Sequence, residues 1–165
     1  ISCKYFAGCI GKYLPVQCTR YIRYGHMCYC IIIYPKLHKN ISMHTAIVIG
    51  GTGLVGEALL LQLIDDSMYT TIKSFSRRPL AVQHTKIQQH LVDFDALESW
   101  QHLLTGHVLF SCLGTTLQQA GSKETQYKID VTYQYKVAHA AASNSVAVLV
   151  LVSSGGANAN SNMSY

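Results

Sequence analysis

Three observations predict a doubly wound α/β fold, a parallel sheet with helices on both faces. Ala46-Ile47-Val48-Ile49 is a continuous apolar run, the pattern of a parallel strand buried on both sides. Glycines at Gly50, Gly53 and Gly56 carry that run through a tight turn into Leu54, Ala58 and Leu61, which recur at helical spacing. Beyond this unit, strand-like and helix-like stretches alternate to the end of the chain, the order of a βαβ succession.

Taken in order, strands are expected near 45–49, 71–76, 88–92, 107–112 and 146–152, and helices near 54–65, 96–104 and 124–143. The last strand, Val146-Ala147-Val148-Leu149-Val150-Leu151-Val152, is apolar throughout and β-branched at alternate positions, so it belongs in the sheet interior. No internal repeat and no low-complexity linker interrupts the succession.

The 165 residues suffice for one domain, and 49% hydrophobic against 13% charged residues describes a globular rather than a disordered chain. The formal charge of +5 is unevenly placed. Residues 1–42 hold six Lys or Arg and no acid, whereas 43–165 hold seven basic and eight acidic residues, a balance of −1. The expected domain is therefore nearly neutral, and no helix-turn-helix, zinc-finger or RNA-binding signature supports a nucleic-acid partner.

Cysteine divides the chain at the same place: Cys3, Cys9, Cys18, Cys28 and Cys30 precede residue 43 and only Cys112 follows it. Cys28 and Cys30 lie too close for a zinc pair, and no second pair has ligand spacing. The apolar run from Cys28 to Tyr34 is far short of a membrane span. Residues 1–42 are thus expected to be a disordered or artefactual leader, with Met43 the natural start and 43–165 the N-terminal part of a Rossmann-like domain.

The glycine turn carries the first functional signal. Gly50 permits the tight turn, Gly53 lets a ligand approach the backbone, and Gly56 allows close helix packing, the arrangement that binds a dinucleotide pyrophosphate. The helix N-terminus offers unpaired N–H groups and a positive dipole end to the phosphates. After the second strand the chain reads Ser76-Arg77-Arg78, where an Asp or Glu would hold an unmodified ribose. Guanidinium groups there bind a 2′-phosphate bidentately, so NADP(H) is expected in preference to NAD(H). The alternative is two solvated arginines at a strand end.

These residues resemble the atypical short-chain dehydrogenase/reductases, and within them the oxidoreductase family typified by the HIV Tat-interacting protein and its bacterial relatives. The resemblance runs from Met43 to Tyr165 and is carried by residues 47–56, Ser74 to Leu80, Val92 to Asp95, Leu109 to Thr116, Tyr127 to Asp130 and Leu151 to Ala157. It implies that Gly50, Thr52, Gly53, Leu54, Val55 and Gly56 surround the pyrophosphate. It also implies Arg77 and Arg78 at the 2′-phosphate, Asp93 beside the adenine, and Cys112, Leu113 and Gly114 along the ribose. Asp93 could equally cap a strand end, and Cys112 could be a small buried apolar side chain. Asp130 and Tyr133 are read as helix-surface residues and left out of the site.

Reductases of this class use a tyrosine as general acid, with a lysine four residues on to lower its pKa and a serine to hold the substrate carbonyl. The resemblance puts Tyr165 and Ser154 in those catalytic positions. The chain ends at Tyr165, so it is expected to be truncated before the lysine and the substrate region, and to be inactive as it stands. The substrate is an unknown small molecule and the expected location is the cytoplasm. Two further readings stay open: an NADPH-sensing regulatory or interaction protein, and a sugar-nucleotide epimerase-like enzyme. Eight scattered histidines show no helical zinc spacing, so no metal is expected.

Overall fold

The computed structural model describes residues 17–24, 27–33 and 44–154. Its sheet runs in the order β1-β2-β7-β6-β3-β4-β5. The strands are β1 (Gln17–Tyr24), β2 (Met27–Ile33), β3 (His44–Ile49), β4 (Tyr69–Ser76), β5 (Ile87–Leu91), β6 (Val108–Ser111) and β7 (Val148–Ser154). Five of them, β7-β6-β3-β4-β5, are mutually parallel, giving a Rossmann-like sheet. From β3 the chain proceeds through β4 to β5, then crosses back to β6 on the other side of β3. The point between β3 and β6 is where the winding reverses, which is where open α/β sheets bind ligands.

Helices α1 (Leu54–Asp65) and α5 (Gln134–Ser143) cover opposite faces. Alternation along β3 sends Ile47 and Ile49 to one core and Ala46 and Val48 to the other, all with no exposed surface. The first core joins them to Phe75, Trp100, Leu104, Leu109 and Val137; the second packs Leu60 and Leu63 of α1 on Ile72 and Leu80.

The strands at 45–49, 71–76, 88–92, 107–112 and 146–152 are found within a few residues of their expected limits. Helix α1 has the expected limits but presents a different face. Its buried stripe is Gly56, Leu60 and Leu63, while Leu54 is 86% exposed and Leu61 51% exposed. Three consecutive leucines, Leu59-Leu60-Leu61, satisfy several helical phases at once, and contact with the sheet selects the one centred on Leu60. At the far end, Lys86 Nζ donates to the carbonyls of Ile64 and Asp66, answering the dipole of the last turn.

The stretch expected as a helix at 96–104 is a single α-turn, α2 (Leu97–Trp100), between 3₁₀ turns Phe94–Ala96 and Gln101–Leu103. The expected helix 124–143 comprises α4 (Lys123–Tyr127), a π-helical turn Lys128–Tyr133 and α5, preceded by a short α3 (Leu117–Ala120). Strands β1 and β2 lie in the segment for which no strand was expected. They form an antiparallel hairpin, and β2 pairs antiparallel with β7, from Met27 opposite Ser154 to Ile33 opposite Val148. Strand β7 is therefore interior, with β6 on its other edge.

Candidate functional site

The carboxyl end of β3 turns at Gly50, whose φ of +83° is a left-handed conformation that side chains disfavour. A Cβ on Gly50 would also stand 2.9 Å from the carbonyl carbon and oxygen of Cys112. Glycine thus lets β3 and the loop after β6 approach at the reversal of the winding, held by the Cys112 amide donating to the Ile49 carbonyl at 2.9 Å. A Cβ on Gly56 would overlap the Gly50 carbonyl oxygen, so this glycine seats the helix on the turn. A Cβ on Gly53 would meet nothing closer than Gly50 O at 3.5 Å, which leaves the mouth of the turn open.

Gly53 is the N-cap of α1 and no side chain caps the helix start. Its amide donates to Gly50 O at 3.1 Å, and the first intrahelical bond runs from Glu57 N to Gly53 O at 2.8 Å. The intervening N–H groups of Leu54, Val55 and Gly56 are the ones a helix leaves for an anion. Leu54 and Gly53 are exposed, Val55 is half-buried and Gly56 buried, so the turn presents backbone outward.

Gly51, absent from the sequence-derived site, has a role of its own. A Cβ there would lie 2.7 Å from Ser74 Oγ and 3.0 Å from Leu60 Cδ1. Beside it opens a pocket of about 250 Å3 whose lining includes Gly51, Thr52, Glu57, Leu60, Arg78 and Leu80. Of the paired arginines, Arg78 lines this pocket and Arg77 is exposed at the strand end. Ser76 Oγ donates to the Arg78 carbonyl at 2.7 Å, which fixes the turn that carries both.

Asp93 closes the end of β5. Its carboxylate accepts from the Asp95 amide at 2.9 Å, capping the 3₁₀ turn Phe94–Ala96 rather than the strand, and its carbonyl accepts from Trp100 Nε1 at 2.8 Å. The Trp100 ring stacks on Phe75 with centroids 5.3 Å apart and meets Phe94 edge-on at 5.5 Å. Next along, the Lys128 ammonium lies 2.6 Å from Asp95 Oδ1 and, followed by the Tyr133 hydroxyl, holds that carboxyl below its ordinary value.

Cys112, Leu113 and Gly114 begin the loop after β6. Burial pushes the Cys112 thiol up to about 12, which makes it an apolar spacer rather than a nucleophile. Space is open around the Gly114 α-carbon. Asp130 and Tyr133, read from sequence as helix-surface residues, are half-buried instead. Asp130 Oδ1 accepts from the Thr115 amide at 2.9 Å, and desolvation raises its pKa despite that bond. Gln134, buried, accepts from Ser111 Oγ at 3.0 Å and donates to the Leu113 carbonyl at 3.3 Å.

The structure thus brings Gly50, Gly53, Gly56 and the backbone of Cys112 and Leu113 into one turn, with Thr52 and Arg78 across the adjoining pocket. Ser154 is the last residue of β7, and Tyr165 lies outside the described residues. Among the described residues no group of three His, Cys, Asp or Glu could hold a metal, and no helix is long and apolar enough to cross a membrane. The open, uncapped turn fits a dinucleotide diphosphate: an anion is met by N–H groups, and Gly53 leaves room where a side chain would intrude.

The sequence pattern described as the NAD dependent epimerase/dehydratase family matches residues 46–162. Protein HTATIP2 of Rattus norvegicus is 29% identical over 112 residues, 64% of this chain and 46% of its own length. The mitochondrial protein FMP52 of Candida glabrata is 39% identical over 103 residues, 61% of this chain and 43% of its own. The chain therefore spans less than half the length of these relatives. Among solved structures, the Bordetella bronchiseptica enzyme WbmG in complex with NAD superimposes with a TM-score of 0.56 at 13% identity, covering 67% of this chain and 37% of its own. Uronate dehydrogenase from Agrobacterium tumefaciens gives 0.53 at 15% identity, with 62% and 38% covered. At these identities the two structures speak for the fold.

Proposed function

The chain belongs to the NAD dependent epimerase/dehydratase family, and from that premise we propose that it forms the cofactor-binding part of a short-chain dehydrogenase/reductase-type oxidoreductase that takes NADP(H) in preference to NAD(H). The observation that carries the reading is the uncapped start of α1 behind Gly50, at the reversal of the winding, with Ser76-Arg77-Arg78 at the end of the neighbouring strand. Amides of Leu54, Val55 and Gly56 meet the diphosphate. Arg78, from the pocket wall, and Arg77, from the strand end, bind the 2′-phosphate, and no carboxylate stands in the Ser76-Arg77-Arg78 segment to repel it.

When bound, NADPH supplies a hydride to an electrophilic carbon of the substrate. The chain's part is to exclude water with the loops of Asp93 and Cys112, to hold the substrate carbonyl oxygen with the Ser154 hydroxyl, and to deliver a proton to it from the Tyr165 hydroxyl. In this reading the substrate is a small carbonyl compound and turnover needs a lysine beyond Tyr165. The alternative is an epimerase-like enzyme acting on a sugar nucleotide; the family's description supports the epimerase reaction type. The cytoplasm is the proposed location; FMP52 relatives bear the word mitochondrial in their names, and fractionation of the source cells decides for this protein.

The test is a titration of NADPH and NADH against wild type and Arg77→Ala. Loss of a bidentate phosphate contact lowers the NADPH:NADH affinity ratio about tenfold or more. An unchanged ratio removes Arg77 from the cofactor site. A version extended through the lysine would oxidise NADPH in a substrate-dependent way, and Tyr165→Phe would abolish it; an undiminished rate refutes the assignment of the proton donor.

A further inference from the structure

We propose that the π-helical turn Lys128–Tyr133 is a positioning device that holds the loops 93–95 and 112–115, the two walls of the candidate cofactor site, in register with each other. The proposal rests on reading those loops as walls of the NADP(H) site. Both loops leave the carboxyl ends of strands on either side of the reversal point, β5 beyond β4 and β6 beyond β3. No direct bond joins one loop to the other among the described residues; each is instead tied to the same helical turn.

On one side, Lys128 Nζ reaches Asp95 Oδ1 at 2.6 Å, and the Tyr133 ring packs on Phe94 with centroids 5.5 Å apart while lying 5.5 Å from the same ammonium. On the other, Asp130 Oδ1 accepts from the Thr115 amide at 2.9 Å, and Gln126 Nε2 donates to the Thr115 carbonyl at 3.3 Å. Residues two positions apart project to nearly opposite sides of a helix, so Lys128 and Asp130 can serve opposite sides from one turn. The turn itself is irregular, an insertion that regular helical packing does not ask for and that recurs at functional sites. Gln134 Nε2 donates to the Asp130 carbonyl at 2.9 Å and to the Leu113 carbonyl at 3.3 Å, so the irregular backbone and the loop share one donor group.

An ion pair with side chains 48% and 57% exposed contributes little to overall stability, so its removal is expected to show in binding more than in melting. The fingerprint places the adenosine ribose over the end of β4, on the β5 side, and the remainder of the dinucleotide toward β6. The Lys128 anchor therefore acts on the adenosine half of the ligand, and the Asp130 anchor acts on the other half, where the ribose lined by the loop 112–115 is the nicotinamide one. Lys128, Asp130 and Tyr133 are positioning residues in this account and touch no reacting atom.

Calorimetric titration of the full chain with NADPH and with adenosine 2′,5′-bisphosphate tests this. Lys128→Met should weaken both ligands by about twofold to fivefold, the range of an exposed ion pair. Asp130→Ala should weaken NADPH similarly and leave the bisphosphate almost unchanged, whereas Asp130→Asn, which keeps the acceptor for Thr115, should restore NADPH affinity. If Asp130→Ala does not fold, Lys128→Met and Asp130→Asn decide. Wild-type affinity in Lys128→Met overturns the device while leaving the cofactor reading intact, and so does Asp130→Asn binding NADPH as weakly as Lys128→Met. A folded wild-type chain that binds neither ligand overturns both.

Discussion

Gly50 is the residue on which the site depends, because it combines a left-handed backbone with contact to the Cys112 peptide. Gly50→Ala faces conformational strain and a backbone clash together, and should both lower the melting temperature and abolish dinucleotide binding; calorimetry and thermal unfolding of the variant check this. Cys112 should stay unlabelled by iodoacetamide at pH 8 in the folded chain, since a thiol pushed up to about 12 supplies almost no thiolate there. Peptide mapping after labelling reads that residue apart from the other cysteines. Asp130 yields a prediction with a definite sign. Burial raises its folded pKa above the unfolded value, so ionisation costs stability as pH rises from the ordinary aspartate range through the raised value. Asp130→Asn should therefore melt at or above the wild-type temperature at neutral pH, with the difference vanishing at a pH low enough to protonate Asp130 in both states. The glycine spacing was legible in the sequence because it encodes a local turn. The roles of Asp130 and Gln134 were not, because their partners are peptide groups in a loop that only the fold brings near.

At the scale of elements, α1 shows how packing selects among sequence patterns. Its limits follow from Gly53 and Asp66, but a run of three leucines cannot say which one faces the sheet. Leu60, wholly buried under Gly51 and against the β3–β4 surface, should cost about 2–5 kcal/mol when cut to Ala, whereas Leu61→Ala should cost far less; denaturant unfolding compares them. Strands β3 and β7 were readable because interior strands of a parallel sheet carry continuous apolar runs. The β1–β2 hairpin was not, because the basic, cysteine-rich composition of 1–42 marked a leader, and the pairing of β2 with β7, far along the chain, leaves no local signature. The stretch 96–104 was read as one helix because Leu97, Trp100 and Leu104 keep a helical spacing across 3₁₀ turns.

For the whole molecule, the parallel sheet and its two cores account for where the site lies: at the carboxyl ends of β3, β4 and β6, around a reversal that Gly50 makes narrow. The division at Met43 into leader and domain is a proposal that a chain beginning at Met43 puts to the test. Unchanged melting would support it, and a lowered melting temperature would make the hairpin on β7 part of the fold. Trp100, the one tryptophan in the sequence, is buried between Phe75 and Phe94 and donates to the Asp93 carbonyl, so it reports on the wall of the site. The direct test of the account is to titrate the full chain with NADPH and NADH while following Trp100 emission. Saturable responses with NADPH the tighter ligand are expected. A cooperatively folded sample that responds to neither dinucleotide would contradict the assignment of the glycine turn.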